Sequence, residues 1–116
     1  VYLDGAHNPH AMLRLIEFVN SLAGKRVKIL FGALKRKDYS GMLQTLQAGL
    51  PEAELILTTF HYGEVVAQGD RQDLPYVADY KAYIKEFMDQ SRPDEVLFVT
   101  GSLYFIAEVR AFLLEG

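Results

Sequence analysis

The chain has 116 residues, half of them hydrophobic, with a formal charge of −3 and no cysteine. That length fits one domain with a single core, and the lack of cysteine excludes a disulfide framework and thiolate metal sites, as suits a reducing, cytoplasmic setting. Nucleic acid and anionic membrane are not expected partners, because the densest basic run is only Lys35-Arg36-Lys37 and no apolar run is long enough to span a bilayer.

The chain opens in mid-strand without Met, as a piece cut from a longer protein is expected to do. Val1-Tyr2-Leu3 reads as a short strand running into the polar turn Asp4-Gly5-Ala6-His7-Asn8. Asn8 is a good N-cap and Pro9 suits the first helical position, so a helix is predicted to start there. Met12, Leu15, Ile16, Val19 and Leu22 recur at helical spacing, and Gly24 closes the segment. Val27–Phe31 is near-continuously apolar, as a buried strand is, and Gly32 ends it. Asp38 is placed to cap a second helix with Tyr39, Met42, Leu43, Leu46 and Leu50 on one face, stopped by Pro51. Leu55–Phe60 reads as a third strand. His61–Pro75 is polar and aperiodic and reads as a surface loop. Tyr76–Asp79 is predicted as a short strand before a helix with Tyr80, Ile84, Phe87 and Met88 inward. Glu95–Thr100 is a further strand, and from Ser102 a helical face of Phe105, Ile106, Val109 and Leu113 runs to the end.

Strands alternating with helices in this way define an α/β, Rossmann-like three-layer sandwich, a mostly parallel sheet with helices on both faces. Ligands bind such sheets beyond the carboxyl ends of the strands. Three turns fall there and are expected to converge: Asp4–Asn8, Gly32–Asp38 and Thr100–Ser102. The first leaves Asp4 and His7 beside a positive helix N-terminus, the geometry of an anion or nucleotide site. In the third, Gly101 brings backbone close to a ligand, and Ser102 offers a hydroxyl and an amide at a helix start. Lys37 adds a cation. Each residue also has a plainer reading: Asp4 as a turn-stabilising carboxylate, His7 as a loop histidine, Lys37 as a solvated lysine, Ser102 as an N-cap. Asp38 fits a cap better than a ligand, and Tyr104, Lys35, His10 and His61 fit packing or surface roles better than a site. There is no Walker A pattern and no dinucleotide fingerprint after the first strand. His7 and His10 lack carboxylates at ligand spacing, so no metal site is expected, and Ser102 has no histidine nearby in sequence for nucleophilic catalysis.

Asp4-Gly5-Ala6-His7-Asn8-Pro9-His10-Ala11, then Phe31-Gly32 with Lys37-Asp38, then Thr100-Gly101-Ser102-Leu103-Tyr104 and Glu108-Val109-Arg110, resemble the C-terminal domain of the folylpolyglutamate synthase family, often bifunctional with dihydrofolate synthase and a branch of the Mur ligase superfamily. Arg36 departs from the acidic residue that many relatives carry before the Lys-Asp pair. The resemblance implies that residues 1–116 form the glutamate ligase domain of an ATP-dependent amide ligase. A P-loop N-terminal domain outside this chain would be its partner and would hold most of the ATP and Mg2+. The parent enzyme would activate the folate γ-carboxylate as an acyl phosphate and join L-glutamate to it, and the chain alone would be inactive. Carried over by position, Asp4 and His7 would face the nucleotide, with His7 near the reacting groups. Lys37, Ser102, Leu103 and Tyr104 would hold glutamate. Two other readings fit the residues: a stand-alone nucleotide or acidic-metabolite binding module, and the corresponding domain of another Mur-type ligase.

Overall fold

A computed structural model describes residues 1–5, 8–22 and 24–115. Five strands, β1 (Tyr2–Asp4), β2 (Arg26–Gly32), β3 (Glu54–Thr58), β4 (Tyr76–Val77) and β5 (Glu95–Gly101), form one sheet in the order β1-β5-β2-β3-β4. Every pairing in it is parallel. The helices are α1 (Pro9–Asn20), α2 (Tyr39–Gly49), α3 (Tyr80–Gln90) and α4 (Leu103–Glu115), with a 3-10 turn at Gln68–Asp70.

Alternation along the strands sorts the core into two layers. Ile29 and Phe31 of β2, Leu55 and Leu57 of β3 and Phe98 of β5 point one way, onto Met12, Leu15, Ile16 and Val19 of α1 and Met42, Leu43 and Leu46 of α2. Leu30, Ile56, Leu97 and Val99 point the other way, onto Tyr80 and Ile84 of α3 and Phe105, Ile106 and Val109 of α4. Each fully buried Leu, Ile or Phe is worth about 1.5–3 kcal/mol of transfer free energy, so both layers are needed to hold the central strands. The three-layer parallel sandwich expected from the sequence is the fold observed.

Local chemistry accounts for the helix starts. The Asn8 side chain accepts from the Ala11 amide at 2.8 Å, that of Asp38 from Gly41 at 3.0 Å and that of Asp79 from Ala82 at 3.1 Å. Capping fixes the role of Asp79, which the sequence places in a strand. β4 stops at Val77, where the Val77 carbonyl also accepts from the Thr58 hydroxyl at 2.6 Å. β3 likewise ends at Thr58 rather than Phe60, because its partner β4 offers only two residues to pair with. Met88 is not inward: it is 52% exposed, one position past the buried stripe of α3. Nor is 61–75 wholly a surface loop. Val66 is fully buried, its amide donates to the Ala33 carbonyl at 2.8 Å, and Leu34 and Val65 form an antiparallel bridge.

β2 and β5 end on paired glycines, Gly32 opposite Gly101. Gly101 has φ +120°, a region closed to most side chains, and a Cβ there would run into the Gly32 carbonyl oxygen. A Cβ on Gly32 would lie 2.8 Å from the Phe105 ring. Gly101→Ala is therefore expected to cost about 3 kcal/mol or more through backbone strain plus overpacking, read as a drop in the denaturant midpoint.

Candidate functional site

Because every strand runs the same way, the ends of β1, β2 and β5 share one edge of the sheet. The turn after β2 and the start of α4 enclose a cavity of about 380 Å³ lined by Ala33, Leu34, Arg36, Lys37, Met42, Ser102, Leu103 and Tyr104. Lys37, Ser102, Leu103 and Tyr104, the four residues expected at a substrate site, thus line one space.

Ser102 is placed by backbone bonds. Its amide donates to the Gly32 carbonyl at 2.8 Å, its hydroxyl accepts from the Tyr104 amide at 3.1 Å, and its carbonyl accepts from Ile106 at 3.0 Å. Ser102 is therefore the N-cap of α4, and the cavity opens at the positive end of a 13-residue helix. Arg36 and Lys37 are exposed and supply two full charges on the facing wall. Arg36 was not anticipated as a site residue. Its neighbour Lys37 drew that role from the motif, whereas the lining position of Arg36 depends on how 33–37 folds back. Asp38 caps α2, as its sequence position suggested. Lys35 points elsewhere, with its Nζ 3.7 Å from Asp70.

Asp4 is half-buried at the end of β1, in register with Thr100. Tyr2, two residues earlier, stacks on Phe98 at 4.9 Å and meets Phe18 of α1 edge-on at 5.6 Å. Strand alternation then puts Asp4 and Thr100 side by side on the α1 face. The Thr100 hydroxyl is buried there without a hydrogen-bond partner among the described residues. The turn also reaches the cavity's far wall, since a Cβ on Gly5 would sit 2.5 Å from Leu103. The start of the first turn, at Asp4 and Gly5, therefore meets the other two turns on one rim. His7, the residue expected nearest the reacting groups, lies outside the described residues.

Beside the cavity, Tyr62 stacks on Tyr104 with ring centroids 3.9 Å apart and planes 12° from parallel. The Tyr62 hydroxyl is held above its ordinary pKa chiefly by its interaction with the Tyr104 hydroxyl, against the opposing pull of Arg36. Behind this pair, the Tyr80 hydroxyl donates to Glu108 Oε2 at 2.5 Å, and the His61 amide donates to Glu108 Oε1 at 3.1 Å. His61 is otherwise a surface side chain, with Nδ1 3.7 Å from the same carboxylate. Among the described residues no three His, Cys, Asp or Glu side chains cluster as metal ligands. Toward ATP, Asp4 supplies a carboxylate acceptor suited to a hydroxyl.

A parallel α/β sandwich with a cationic cavity at its carboxyl rim defines a ligand-binding domain. The family model for the Mur ligase, glutamate ligase domain, matches residues 1–103, and the chain belongs to that family. It is 31% identical over 121 aligned positions to a dihydrofolate synthase/folylpolyglutamate synthase of Bacillus subtilis, covering 95% of this chain and 27% of that protein. Among solved structures it superposes on a bifunctional folylpolyglutamate synthase/dihydrofolate synthase of Yersinia pestis complexed with AMPPNP and Mn ion, with a TM-score of 0.80 at 24% identity over 97% of this chain and 28% of that one. A structure of a bifunctional folylpolyglutamate synthase/dihydrofolate synthase with Mn, AMPPNP and L-glutamate bound superposes with a TM-score of 0.78 at 24% identity, over 97% of this chain and 29% of that one. The chain spans a little over a quarter of these relatives. No described helix is long and apolar enough to cross a membrane.

Burial first, and the Glu108 carboxylate second, push the Tyr80 hydroxyl well above the usual tyrosine range. Burial, aided by Glu54, Glu86 and Glu95, raises Tyr83 to about 12. A raised folded-state pKa means stability that is complete below the unfolded value of about 10 and is lost as pH climbs through the folded values. Urea midpoints are expected to fall between about pH 10 and pH 12. Tyr80→Phe should flatten that fall, at a cost of about 1–2 kcal/mol near neutrality from the loss of the hydroxyl that donates to Glu108 Oε2.

Proposed function

We propose that this chain is the glutamate-binding C-terminal domain of a cytoplasmic, ATP-dependent folylpolyglutamate synthase. The observation that carries the reading is the rim cavity where Arg36 and Lys37 face the N-terminus of α4 at Ser102. Glutamate brings two carboxylates, and cations opposite a helix N-terminus suit a dicarboxylate. Family membership and the names of the relatives support the same substrate class.

The work assigned to this chain is placement and charge, not covalent catalysis. Lys37 and Arg36 hold the glutamate carboxylates, with the Ser102 turn and Tyr104 closing the cavity, so that the amine is left facing the folate bound by the partner domain. ATP, held mainly by that domain with Mg2+, activates the folate γ-carboxylate. The amine attacks the activated carbonyl, the amide bond forms and phosphate leaves. Asp4 accepts from the ribose of the nucleotide, and His7 lies near the reacting groups. The N-terminal P-loop domain of the same polypeptide is the partner, and this chain alone is inactive.

The test is phosphate release by the full-length polypeptide supplied with ATP, a reduced folate and glutamate. Lys37→Ala and Arg36→Ala are expected to raise the KM for glutamate about tenfold each, with KM for ATP unchanged. Asp4→Ala should raise the KM for ATP instead, and His7→Ala should lower kcat. Unaltered glutamate KM in both cation variants overturns the glutamate site. A polypeptide that binds glutamate or nucleotide without releasing phosphate is a binding module instead.

A further inference from the structure

Glu108 lies outside the cavity, yet it joins three separate elements. It stands one turn after Tyr104 on α4, so the two side chains share a face of that helix. Its Oε2 accepts from Tyr80 of α3, a residue only 3% exposed, and its Oε1 accepts from the main-chain amide of His61 in the connection after β3. The residue after His61 is Tyr62, whose ring lies flat on Tyr104 at 3.9 Å. Tyr104 in turn lines the cationic cavity. From the buried hydroxyl to the cavity wall the contacts are continuous.

We propose that Glu108 is a positioning residue, holding the His61 amide so that Tyr62 is seated on Tyr104 and Tyr104 is fixed as the wall of the rim cavity. Both tyrosines are otherwise exposed, at 40% and 48%, and an exposed ring is free to change rotamer. Besides Glu108, the connection carrying Tyr62 is anchored first by the Tyr62 amide, which donates to the carbonyl of buried Phe60 at 3.2 Å, and second at Glu64, whose carbonyl accepts from the Lys35 amide at 2.9 Å beside the Leu34–Val65 bridge. That second anchor sits on the cavity's other wall. With Glu108 removed, the His61 amide loses its acceptor, the stretch from Phe60 to Glu64 gains freedom between its remaining anchors, and the ring pair shifts. A carboxylate suits this task because it is acceptor-only and takes both donors at once, whereas a glutamine must aim its one carbonyl oxygen at one of them.

Tyr104 belongs to the glutamate site only under the reading above, so the experiment keeps the two ideas apart. Full-length polypeptide with fluorinated tyrosine is examined by 19F NMR, with Tyr104 and Tyr62 assigned through Tyr→Phe variants, alongside KM and kcat for glutamate. The expected result is that Glu108→Ala shifts the Tyr104 resonance as far as Tyr62→Ala does, while Glu108→Gln shifts it part-way. Glutamate KM should rise about two- to tenfold in Glu108→Ala and Tyr62→Ala, with kcat held within about twofold, and the double variant should be no worse than either. Tyr62→Phe, which retains the stacked ring, should keep the parent KM. A Tyr104 resonance that stays put in Glu108→Ala or Glu108→Gln overturns the proposal, and so does an additive double variant. Moved resonances with unchanged glutamate KM support the positioning role and count against Tyr104 as a glutamate contact. Should Glu108→Ala fail to fold, Glu108→Gln and Tyr62→Ala carry the comparison.

Discussion

The rim is built on the close approach of two strand ends, Gly32 of β2 and Gly101 of β5. Neither position tolerates a side chain, since one would meet the Phe105 ring and the other the facing carbonyl. That closeness lets the Ser102 amide reach the Gly32 carbonyl at 2.8 Å, which sets the first turn of α4 directly against the turn after β2. Everything else on the rim follows from it. Lys37 and Arg36 can face a helix N-terminus only because the two turns are brought within one cavity's width of each other.

Such a rim also needs walls that the sheet alone does not provide. One is the return of 64–66 onto 33–35 through main-chain bonds, which makes a long connection into part of the core. Another is the stacked tyrosine pair, backed by a carboxylate shared between two helices and a loop. The charged residues at the mouth stay solvated, while the walls behind them are apolar or held by main-chain and carboxylate hydrogen bonds. This division fits a site that takes up a polar ligand without burying an unpaired charge of its own.

Where local chemistry decides, the sequence was legible. Asn8-Pro9 opened α1, Asp38 capped α2, the apolar runs of β2 and β5 became central strands, and the strand-helix alternation led to the parallel sandwich. Four residues named for the substrate site line a single cavity because strand direction alone sends their turns to one edge. What stayed hidden depends on pairing between distant segments. β3 stops at Thr58 because β4 is short, Val66 is buried because its amide finds Ala33, and Met88 falls just beyond the helical stripe. Arg36 and Glu108 were the harder cases. Glu108 stood in a motif and one turn from Tyr104, yet its partners, Tyr80 and the His61 amide, are 28 and 47 residues away.

The strand order has a kinetic side. Among the described strands β5 comes last in sequence, yet it lies between β1 and β2 and pairs with both. Until Glu95–Gly101 is in place, β1 lacks the partner it has in this sheet and β2 lacks one of its two neighbours. During synthesis the first three-quarters of the domain must therefore wait as an incomplete sheet, exposing an edge that chaperones or aggregation would find. Assembly of this fold brings β1 and β5 together across almost the whole domain, and the rim exists only once that pairing has formed.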